Sequence, residues 1–405
     1  MPFTPSKQIL ERYADVLINF ALGSGKGIKK GDVVWLRADE GCKPLYAELY
    51  RAIIKSGGHV ISSYSPMVGP DYNLGKDFYR LAKPHQLSFF AAKYMKGLID
   101  QIDHMLFIES STDMHAMEGV DPKKMMLSGE AAKPAAAWRR QKENDGKLSW
   151  TIALYGTPAM AKEAGLSEKA YWDQIIKACF LNEKNPIAKW RVVFKDIQKY
   201  ISKLNKLKIE SVHMLGADSD ITIKIGADRQ WLGGRGANIP SFEIFTSPDW
   251  RGTNGWVRFN QPLYRYGSLI KGIRLEFKNG IVTKATATHN QKLLREMIAT
   301  PNANKLGEFS MTDKRHSRIT KFMAETLYDE NTGGPNGNSH MAVGTSYDET
   351  YKGNLKTFTP KKKARLGFNT SSVHTDIITT TPRTITATLA NGKKKVIYKN
   401  GSFVL

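Results

Sequence analysis

The chain contains 405 residues, of which 41% are hydrophobic and 24% are charged. These values exclude an intrinsically disordered protein, and the length favours two domains over a single core. The formal net charge of +22 would suit a nucleic-acid-binding protein. However, the lysines are spread along the chain and no nucleic-acid-binding module is recognisable, so we expect a solvated basic surface and no nucleic-acid partner.

Other features argue against a secreted or membrane-bound protein. Cys42 and Cys179 cannot form a disulfide framework. The N-terminal segment carries charges inside its apolar pattern and lacks a small-residue cleavage site, and no run of about 18 apolar residues occurs. We therefore expect a cytoplasmic protein with reduced thiols and no membrane contact.

The first half of the chain alternates between helical and strand-like patterns. Helices are predicted near residues 6–22, 45–56, 86–101 and 122–142, and strands near 32–39, 59–64, 104–110 and 150–156. Such alternation predicts a doubly wound parallel sheet with helices on both faces. A further helical region over 168–207, divided around Asn185-Pro186, is predicted to bridge to a second domain.

Beyond residue 208 the pattern becomes rich in strands and turns. Strands are predicted at 221–226, 255–260, 270–277, 281–288, 385–390 and 395–400, with helices at 291–298 and 318–327. Asn-Gly pairs at 279–280, 391–392 and 400–401 indicate hairpins, because type I′ turns need positive φ at both central residues. The predicted fold class is therefore α/β. An N-terminal doubly wound α/β domain over 1–207 precedes a β-rich α+β domain over 208–405.

Two glycine-rich segments are candidates for ligand-binding loops. The segment GSGKG at 23–27 does not fit the phosphate-binding loop, because Phe20 and Gly27 occupy positions where that motif needs glycine and serine or threonine. The segment GGRGANIP at 233–240 is read as a turn or as a loop that lets the backbone approach a ligand. No nucleophile motif such as GxSxG occurs, so nucleophilic catalysis is disfavoured.

A series of acidic residues and histidines in the last 170 or so residues is the strongest functional signal. Its members are Glu243, Glu308, Glu330, His340, His374 and Asp376. Together these carboxylates and imidazoles could hold two divalent metal ions, although each residue alone is a weak signal. His374 and Asp376 are the strongest pair, because residues two apart in a strand point to the same face.

The segments that carry these residues resemble, in this order, the signature of the aminopeptidase T family of metallo-aminopeptidases. They are NIPSFEIFTSP, NKLGEFS, LYDEN, SHMAVGTSY and SSVHTDI. The resemblance covers about residues 205–380, and the N-terminal half shares only the general α/β pattern and length. The resemblance implies that the six residues ligate a pair of divalent ions, with Glu308 touching both, and that Tyr347 is an active-site tyrosine that stabilises an oxyanion.

The resemblance further implies a hydrolase that acts on short peptides. Zinc, cobalt(II) or manganese would suit the oxygen and nitrogen ligands, and a metal-activated hydroxide would attack the scissile carbonyl while Glu308 carries the proton to the leaving amine. The N-terminal domain would wall off the site and help form a homodimer. One departure concerns Glu330: the segment between it and His340 is longer than in many members, so its alignment requires that this loop bulge outward.

Two alternatives remain open from the residues alone. A two-metal phosphoesterase would need basic residues near the ions, and Arg235, Arg251 or Lys314 could serve. A non-enzymatic protein with a degenerate site would instead use its basic surface, although the complete set of ligand residues argues against degeneracy.

Overall fold

A parallel sheet forms the centre of the first half in the computed structural model, which describes residues 3–69 and 71–405. Its strands, in spatial order, are β2 (His59–Ser65), β1 (Val33–Asp39), β3 (His104–Glu109), β4 (Ser149–Leu154) and β7 (Asn238–Ile239). All neighbouring pairs run parallel. The first four strands are those predicted from the sequence, whereas β7 arrives from the second half of the chain.

Helices cover both faces of this sheet. They are α1 (Lys7–Val16), which continues as a π-helical turn over Leu17–Ala21, α2 (Leu22–Gly25), α3 (Lys43–Lys55), α4 (Leu74–Leu81), α5 (Pro84–Leu87), α6 (Ala92–Gln101), α7 (Pro122–Ala131), α8 (Lys133–Asn144) and α9 (Pro158–Glu163). Helix α1 packs on α3 and α6 packs on α8. The single helices predicted over 86–101 and 122–142 are each divided in two. Pro134 in the first turn of α8 explains the second division, because proline is tolerated at a helix start but not in its interior.

Two helices follow the parallel sheet where the sequence predicted a helical bridge. They are α10 (Glu168–Ala178) and α11 (Pro186–Lys206). The side chain of Asn185 accepts a hydrogen bond from the backbone N–H of Ala188 at 2.9 Å, and Pro186 occupies the first turn of α11. This N-cap and the proline together fix the start of α11 at the predicted division.

The second half contains a large antiparallel sheet and a small hairpin. The large sheet runs, in spatial order, β13 (Ile281–Thr286), β12 (Arg274–Lys278), β9 (Asn254–Arg258), β6 (Ser219–Lys224), β5 (Ile209–Gly216), β17 (Arg383–Leu389), β18 (Lys394–Lys399) and β19 (Ser402–Phe403). The hairpin pairs β10 (Leu263–Arg265) with β11 (Ser268–Ile270). Asn279-Gly280 and Asn400-Gly401 have positive φ at both residues, as a type I′ turn requires, and they join β12 to β13 and β18 to β19.

A second, four-stranded antiparallel sheet lies deeper in the molecule. Its strands, in spatial order, are β16 (His374–Thr379), β15 (Asn338–Gly344), β14 (Leu306–Thr312) and β8 (Glu243–Thr246). Every residue of β14 and β15 is buried. The remaining helices are α12 (Gln291–Ala299), α13 (Thr326–Asp329) and α14 (Pro360–Leu366).

The helix predicted over 318–327 is wrong, because only Thr326–Asp329 is helical there. The carboxylate of Asp329 accepts hydrogen bonds from the backbone N–H groups of Met323 and Glu325, at 2.8 and 3.0 Å. Ala324 has a φ of 54°, which a right-handed helix does not allow. The apolar residues of this segment have helix-like spacing because each of them is buried separately in a loop. That loop is held by hydrogen bonds to Asp329.

One continuous apolar core joins the two halves. It contains Tyr13 of α1, Leu36 of β1, Trp190 of α11, Ile221 of β6 and Phe309 of β14. The predicted fold class is confirmed, since a parallel sheet with helices on both faces precedes an antiparallel β-rich region. The division at 207/208 remains a prediction.

No helix in the described part of the chain is long and apolar enough to cross a membrane.

Candidate metal centre

The four-stranded sheet brings five of the six candidate residues to one place. Register pairing aligns Glu308 with Ala342 and then with Asp376, and it aligns Ser310 with His340. Glu243 pairs with Thr312 at the start of β8. Side chains directly opposite each other on neighbouring strands point to the same face of a sheet. Glu308 and Asp376 are both opposite Ala342, so their side chains share one face. The candidates thus converge on one face from four different strands.

His340 lies among three carboxylates. Its Nε2 atom is 3.3 Å from Glu243 Oε2, 3.6 Å from Glu308 Oε1 and 3.9 Å from Asp376 Oδ1. The side chain is 1% exposed. A buried imidazole among acidic oxygens at these distances has the environment of a group that shares a cation with them.

His374 forms the second part of the cluster. Its Nε2 atom lies 3.2 Å from Glu308 Oε2 and 3.5 Å from Asp376 Oδ1. Its Nδ1 atom lies 2.9 Å from the backbone carbonyl oxygen of Thr345, which can only accept, so Nδ1 carries a proton. This second contact orients the ring and directs Nε2 at the carboxylates, as the outer hydrogen bond of a metal-bound histidine does. Glu308 therefore faces His340 with one oxygen and His374 with the other.

Glu330 also joins the cluster, despite the long segment that follows it. Its Oε1 atom lies 3.4 Å from Nδ2 of Asn238. The buried side chain of Asn338 donates to the backbone carbonyl oxygens of Glu330 at 2.5 Å and of Thr332 at 3.2 Å. The residues that lengthen the segment between Glu330 and β15 form turns. These turns do not interrupt the hydrogen bonds of Asn338, so the longer loop does not displace Glu330 from the cluster.

The donor atoms fit divalent metal ions. Three sets of donors have ligand atoms within 4.8 Å of one another: Glu243, Glu308 and His340; Glu308, His374 and Asp376; Glu330, His340 and Asp376. His374 Nε2 and Asp376 Oδ1 are buried, and among the described residues the short distances given above do not form hydrogen bonds with either atom. Buried polar atoms are normally paired, so these two atoms fit a site that binds a cation. Carboxylate and imidazole donors suit zinc, cobalt(II) or manganese.

The pKa values of the side chains in the cluster reflect the negative charge that is concentrated there. Burial, together with the other carboxylates, raises the pKa of Glu243 and raises that of Glu330 well above its ordinary value. Burial opposes the charged imidazolium of His374, yet Asp376 and Glu308 raise its pKa to about 10. The pKa of His340 is likewise raised by Glu243 and Glu308 against the effect of burial. In the metal-free protein, protons therefore supply the positive charge that the carboxylates need.

Tyr347 lies beside the cluster. Its ring centroid is 4.7 Å from that of His374 in an edge-on arrangement, and its backbone N–H donates to the hydroxyl of Ser247 at 2.8 Å. Burial, with Glu308 nearby, raises the pKa of the phenol well above its ordinary value. The phenol therefore keeps its proton at neutral pH and is available as a hydrogen-bond donor.

A cleft of about 770 Å³ opens onto the cluster and is lined by residues from both halves of the chain. It is lined by Glu243, Glu308, Glu330, His340, Tyr347 and Asp376, and by the glycine-rich segments 23–27 and 233–238. Gly233 has a φ of +153°, and a Cβ atom there would lie 2.2 Å from the carbonyl oxygen of Glu243. This close approach explains the glycine and places its loop against the first candidate ligand.

The basic residues expected to clamp a phosphate mostly lie outside the cleft, although Lys26, Lys29 and Lys147 line it. Of the three basic residues considered for this role, only Arg235 lines the cleft. Arg251 pairs with Asp249 at 2.7 Å, and Lys314 Nζ donates to the carbonyl oxygen of Pro335 at 3.0 Å.

Two residues that support the cluster were not predicted from the sequence. Ser310 donates to Glu243 Oε2 at 3.2 Å, and Asn238 contacts Glu330 as described above. Ser310 follows Glu308 by two positions in one strand, so strand alternation could have identified it. Asn238 gave no such signal, because its contact depends on the pairing of β7 with β4.

Comparison with known proteins gives consistent matches along the chain. The family model described as "Thermophilic metalloprotease (M29)" matches residues 6–403. Aminopeptidase PepS of Streptococcus thermophilus is 27% identical over 424 residues and is matched over 98% of both chains. Aminopeptidase T of Thermus thermophilus is 27% identical over 285 residues, which cover 66% of this chain and 68% of that protein.

The structural comparison agrees in fold. Wild-type AmpT from Thermus thermophilus superposes with a TM-score of 0.81 at 23% identity, over 98% of this chain and 100% of that chain. The two chains therefore share the whole architecture, including both sheets that border the cleft.

Proposed function

Because this chain belongs to the thermophilic metalloprotease family, we propose that it is a metallo-aminopeptidase that removes N-terminal residues from short peptides at a centre of two divalent ions. The observation that carries the proposal is the arrangement of Glu308, whose two oxygens face His340 and His374 at 3.6 and 3.2 Å. A carboxylate shared by two sets of donors is suited to hold two ions side by side.

The candidate residues divide into two sets around Glu308. Glu243 and His340 would hold one ion, and His374 and Asp376 the other, with Glu330 as a further ligand beside His340 and Asp376. When bound, such ions would polarise the scissile carbonyl and make water available as a nucleophile at neutral pH. Ser310 orients Glu243, and the carbonyl of Thr345 orients His374, so the donors are fixed before a metal arrives.

Two side chains would take part in the peptide chemistry itself. A Glu308 carboxylate oxygen would accept the proton of the attacking water and pass it to the leaving amine. The Tyr347 phenol, held protonated, would donate a hydrogen bond to the oxyanion that forms at the former carbonyl oxygen. The cleft would admit an extended peptide end, and its walls would exclude a folded chain.

We include in the proposal a homodimer formed through the N-terminal half. Helix α4 has no buried residue, and large apolar side chains near it are exposed, including Leu81 at 69% and Phe89 at 75%. An amphipathic helix that buries nothing within its own chain fits a face covered by a second copy. Leu81→Asp with Phe89→Asp should give a monomer by light scattering, whereas a wild-type protein already monomeric at micromolar concentration would contradict this part of the proposal.

The cellular compartment is also part of the proposal. Cys42 and Cys179 are free and buried, and burial raises the pKa of their thiols to about 11 and about 12. Such thiols are unreactive and fit a reducing environment. We therefore place the enzyme in the cytoplasm.

The proposal is tested by removing and restoring the metal. Protein stripped with a chelator and reloaded with Zn²⁺, Co²⁺ or Mn²⁺ would be assayed on a panel of aminoacyl p-nitroanilides and on N-acetylated controls. Activity that needs both the metal and a free amino terminus is the expected result. Absence of activity with every metal, or equal cleavage of acetylated substrates, would contradict an aminopeptidase.

A further inference from the structure

The cleft carries three basic residues at the end of the parallel sheet where its strands begin. Lys26 and Lys29 lie between α2 and β1, and Lys147 lies between α8 and β4. All three are exposed and line the cleft, which the candidate metal ligands line as well. One cleft therefore offers ammonium groups in addition to the carboxylates of the metal centre, and the proposed chemistry does not use these ammonium groups.

The hydroxyl of Ser149 joins two of the lysine-bearing segments. It accepts a hydrogen bond from the backbone N–H of Gly23 at 2.8 Å. Gly23 precedes Lys26 by three residues, and Ser149 follows Lys147 by two. Because three residues of chain span at most about 10 Å, the backbones of both lysines lie close to this hydrogen bond.

His104 connects the third segment to the same place. Its Nδ1 atom lies 2.7 Å from the hydroxyl oxygen of Ser149, and its Nε2 atom lies 2.8 Å from Asp32 Oδ2. The same oxygen of Asp32 accepts a hydrogen bond from the backbone N–H of Lys29 at 2.6 Å. This chain of contacts holds the backbone of Lys29 near the other two segments. The three lysines thus form one lysine corner of the cleft.

The carboxylates near the lysine corner have partners, whereas its ammonium groups have none. Asp32 pairs with His104 as described, Asp103 accepts a hydrogen bond from a backbone N–H of β1 at 2.8 Å, and Glu143 accepts one from an indole N–H at 2.7 Å. In the described part of the chain, none of the three ammonium groups forms a salt bridge or a side-chain hydrogen bond. The lysine corner can therefore take an anionic group from a substrate.

Strand β4 gives the distance from the lysine corner to the metal centre. Its first residue, Ser149, lies at the corner, and Ile152 pairs with Asn238. Asn238 Nδ2 in turn lies 3.4 Å from Glu330 Oε1. From Ser149 to Ile152 the strand rises about 10 Å, which is the length of about three residues of extended peptide.

We infer that the lysine corner binds the C-terminal carboxylate of a substrate peptide of about three residues. The inference rests on the proposed function and deepens it, because it assigns the substrate class to peptides whose two ends are both recognised. The N-terminal bond would lie at the ions while the free carboxylate reaches the lysines. A reacting phosphate group would have to lie at the ions themselves, about 10 Å from the corner, so these lysines are not placed to clamp it.

A peptide with a free carboxylate gains from the lysine corner what its C-terminal amide does not. Leucylglycylglycine and its amide provide the comparison, because they have the same shape and differ in charge at that end. We expect the wild-type enzyme to favour the acid by on the order of tenfold in kcat/KM. The preference should weaken as the salt concentration rises, because the lysines are exposed. It should also be smaller for leucylpentaglycine and its amide, whose C-terminal end extends past the corner.

Substitutions assign this preference to the three lysines. Lys26→Met, Lys29→Met and Lys147→Met should each lower the acid-to-amide ratio about two- to threefold, and the double variant with Lys26→Met and Lys147→Met should lower it to about threefold or less. Lys30→Met is the matched control, because Lys30 is also exposed and adjoins Lys29 but does not line the cleft. That variant should keep the wild-type ratio. Cleavage of leucine p-nitroanilide, which has no carboxylate, reports folding and metal loading in every variant.

The outcomes separate the lysine corner from the proposed function. A wild-type ratio near one, or a ratio unchanged in all the cleft variants, would overturn the corner, while cleavage of the p-nitroanilide would leave the aminopeptidase intact. A wild type that cleaves no substrate with any metal would instead overturn the proposed function. In that case calorimetric binding of triglycine and triglycine amide decides the corner, and equal affinities would refute it.

Discussion

Each histidine of the candidate centre is surrounded by acidic oxygens rather than by apolar groups. The free energy of burying several carboxylates together is offset in the metal-free protein by protons on His340 and His374. Divalent ions would replace those protons. At the scale of single residues, the centre is therefore a set of carboxylates whose negative charge is balanced by protons in the metal-free protein. Divalent ions would balance it when they bind.

Glu308 is the residue on which both halves of the centre depend. Glu308→Gln keeps the shape of the side chain but removes the charge from the carboxylate between the two histidines. We expect metal content, measured by mass spectrometry after dialysis, to fall by at least half, and kcat to fall roughly 100-fold or more. Glu118→Gln, an exposed change in the other half, should alter neither. A fully loaded and active Glu308→Gln enzyme would show that this carboxylate bridges nothing.

Tyr347 should separate chemistry from metal binding. In Tyr347→Phe the ring can still pack against His374, but the hydrogen-bond donor is lost. We expect metal content to stay at the wild-type level and kcat to fall about 10²- to 10³-fold, as for other oxyanion donors. Steady-state kinetics with metal analysis on the same sample checks this, and an unchanged kcat would exclude the phenol from catalysis.

At the scale of elements, the loop that carries Glu330 depends on one asparagine. Asn338 is completely buried and donates to the carbonyl oxygens of Glu330 and Thr332. Asn338→Ala removes the side-chain donor to the carbonyl of Thr332 and leaves that of Glu330 with only the hydroxyl of Thr312 at 3.3 Å; loss of a buried partner typically costs about 1–3 kcal/mol. We expect a lower Tm and weaker metal retention, measured by thermal denaturation and by chelator competition.

The neighbouring Asn336 offers a control for that variant. Its side chain makes a single 3.3 Å hydrogen bond to Thr380, so Asn336→Ala should leave metal retention unchanged. Equal effects of both substitutions would mean that the loop is stabilised as a whole and that Asn338 has no special part in placing Glu330.

Strand alternation explains what could be predicted of the centre from the sequence. The His374 and Asp376 pair follows directly from the two-residue period of a strand. The convergence of Glu243, Glu308 and His340 does not, because it depends on the register of four strands that are distant in sequence. The segment over 318–327 differs from its prediction for another reason, because its apolar spacing indicated a helix. The carboxylate of Asp329 instead accepts hydrogen bonds from the backbone N–H groups of Met323 and Glu325, and these contacts within the segment override the apolar pattern.

At the scale of the whole molecule, the cleft collects buried acidic groups from both halves. Burial and the nearby Glu143 raise the pKa of Glu349 to about 7. A carboxyl group whose pKa is higher in the folded than in the unfolded state stabilises the fold below the unfolded value. That stability is lost as the pH rises through the folded value. The metal-free protein should therefore lose stability between about pH 4.5 and pH 7 through this group.

Glu349→Gln tests this pH dependence. The substitution removes the ionisation, so at pH 8 the Tm of the metal-free variant should exceed that of the wild type by roughly 2–5 °C, with little difference at pH 5. Calorimetric scans at the two pH values would check this. A variant less stable than the wild type at pH 8 would mean that the ionised carboxylate is stabilised by Arg235.

More of the architecture than of the candidate site could be predicted from the sequence. Alternating patterns in the first half and Asn-Gly turns in the second correctly predicted the parallel and antiparallel sheets, because each depends on local periodicity. Strand β7 was not predicted. It has two residues, and its place depends on pairing with β4 rather than on its own sequence. That strand also makes the predicted domain boundary near residue 207 less distinct, because it adds a segment of the second half to the sheet of the first half.

Strand β7, which forms one edge of the parallel sheet, connects that sheet to the metal centre. Only three residues separate Ile239 from Glu243, and the backbone N–H of Ile152 in β4 donates to the carbonyl oxygen of Ala237 at 3.1 Å. We therefore expect that loosening of Glu243 is transmitted along this short segment. The amide of Ile152 should exchange its hydrogen more slowly when the ions are bound, which makes one backbone position in the first half a reporter of metal occupancy in the second.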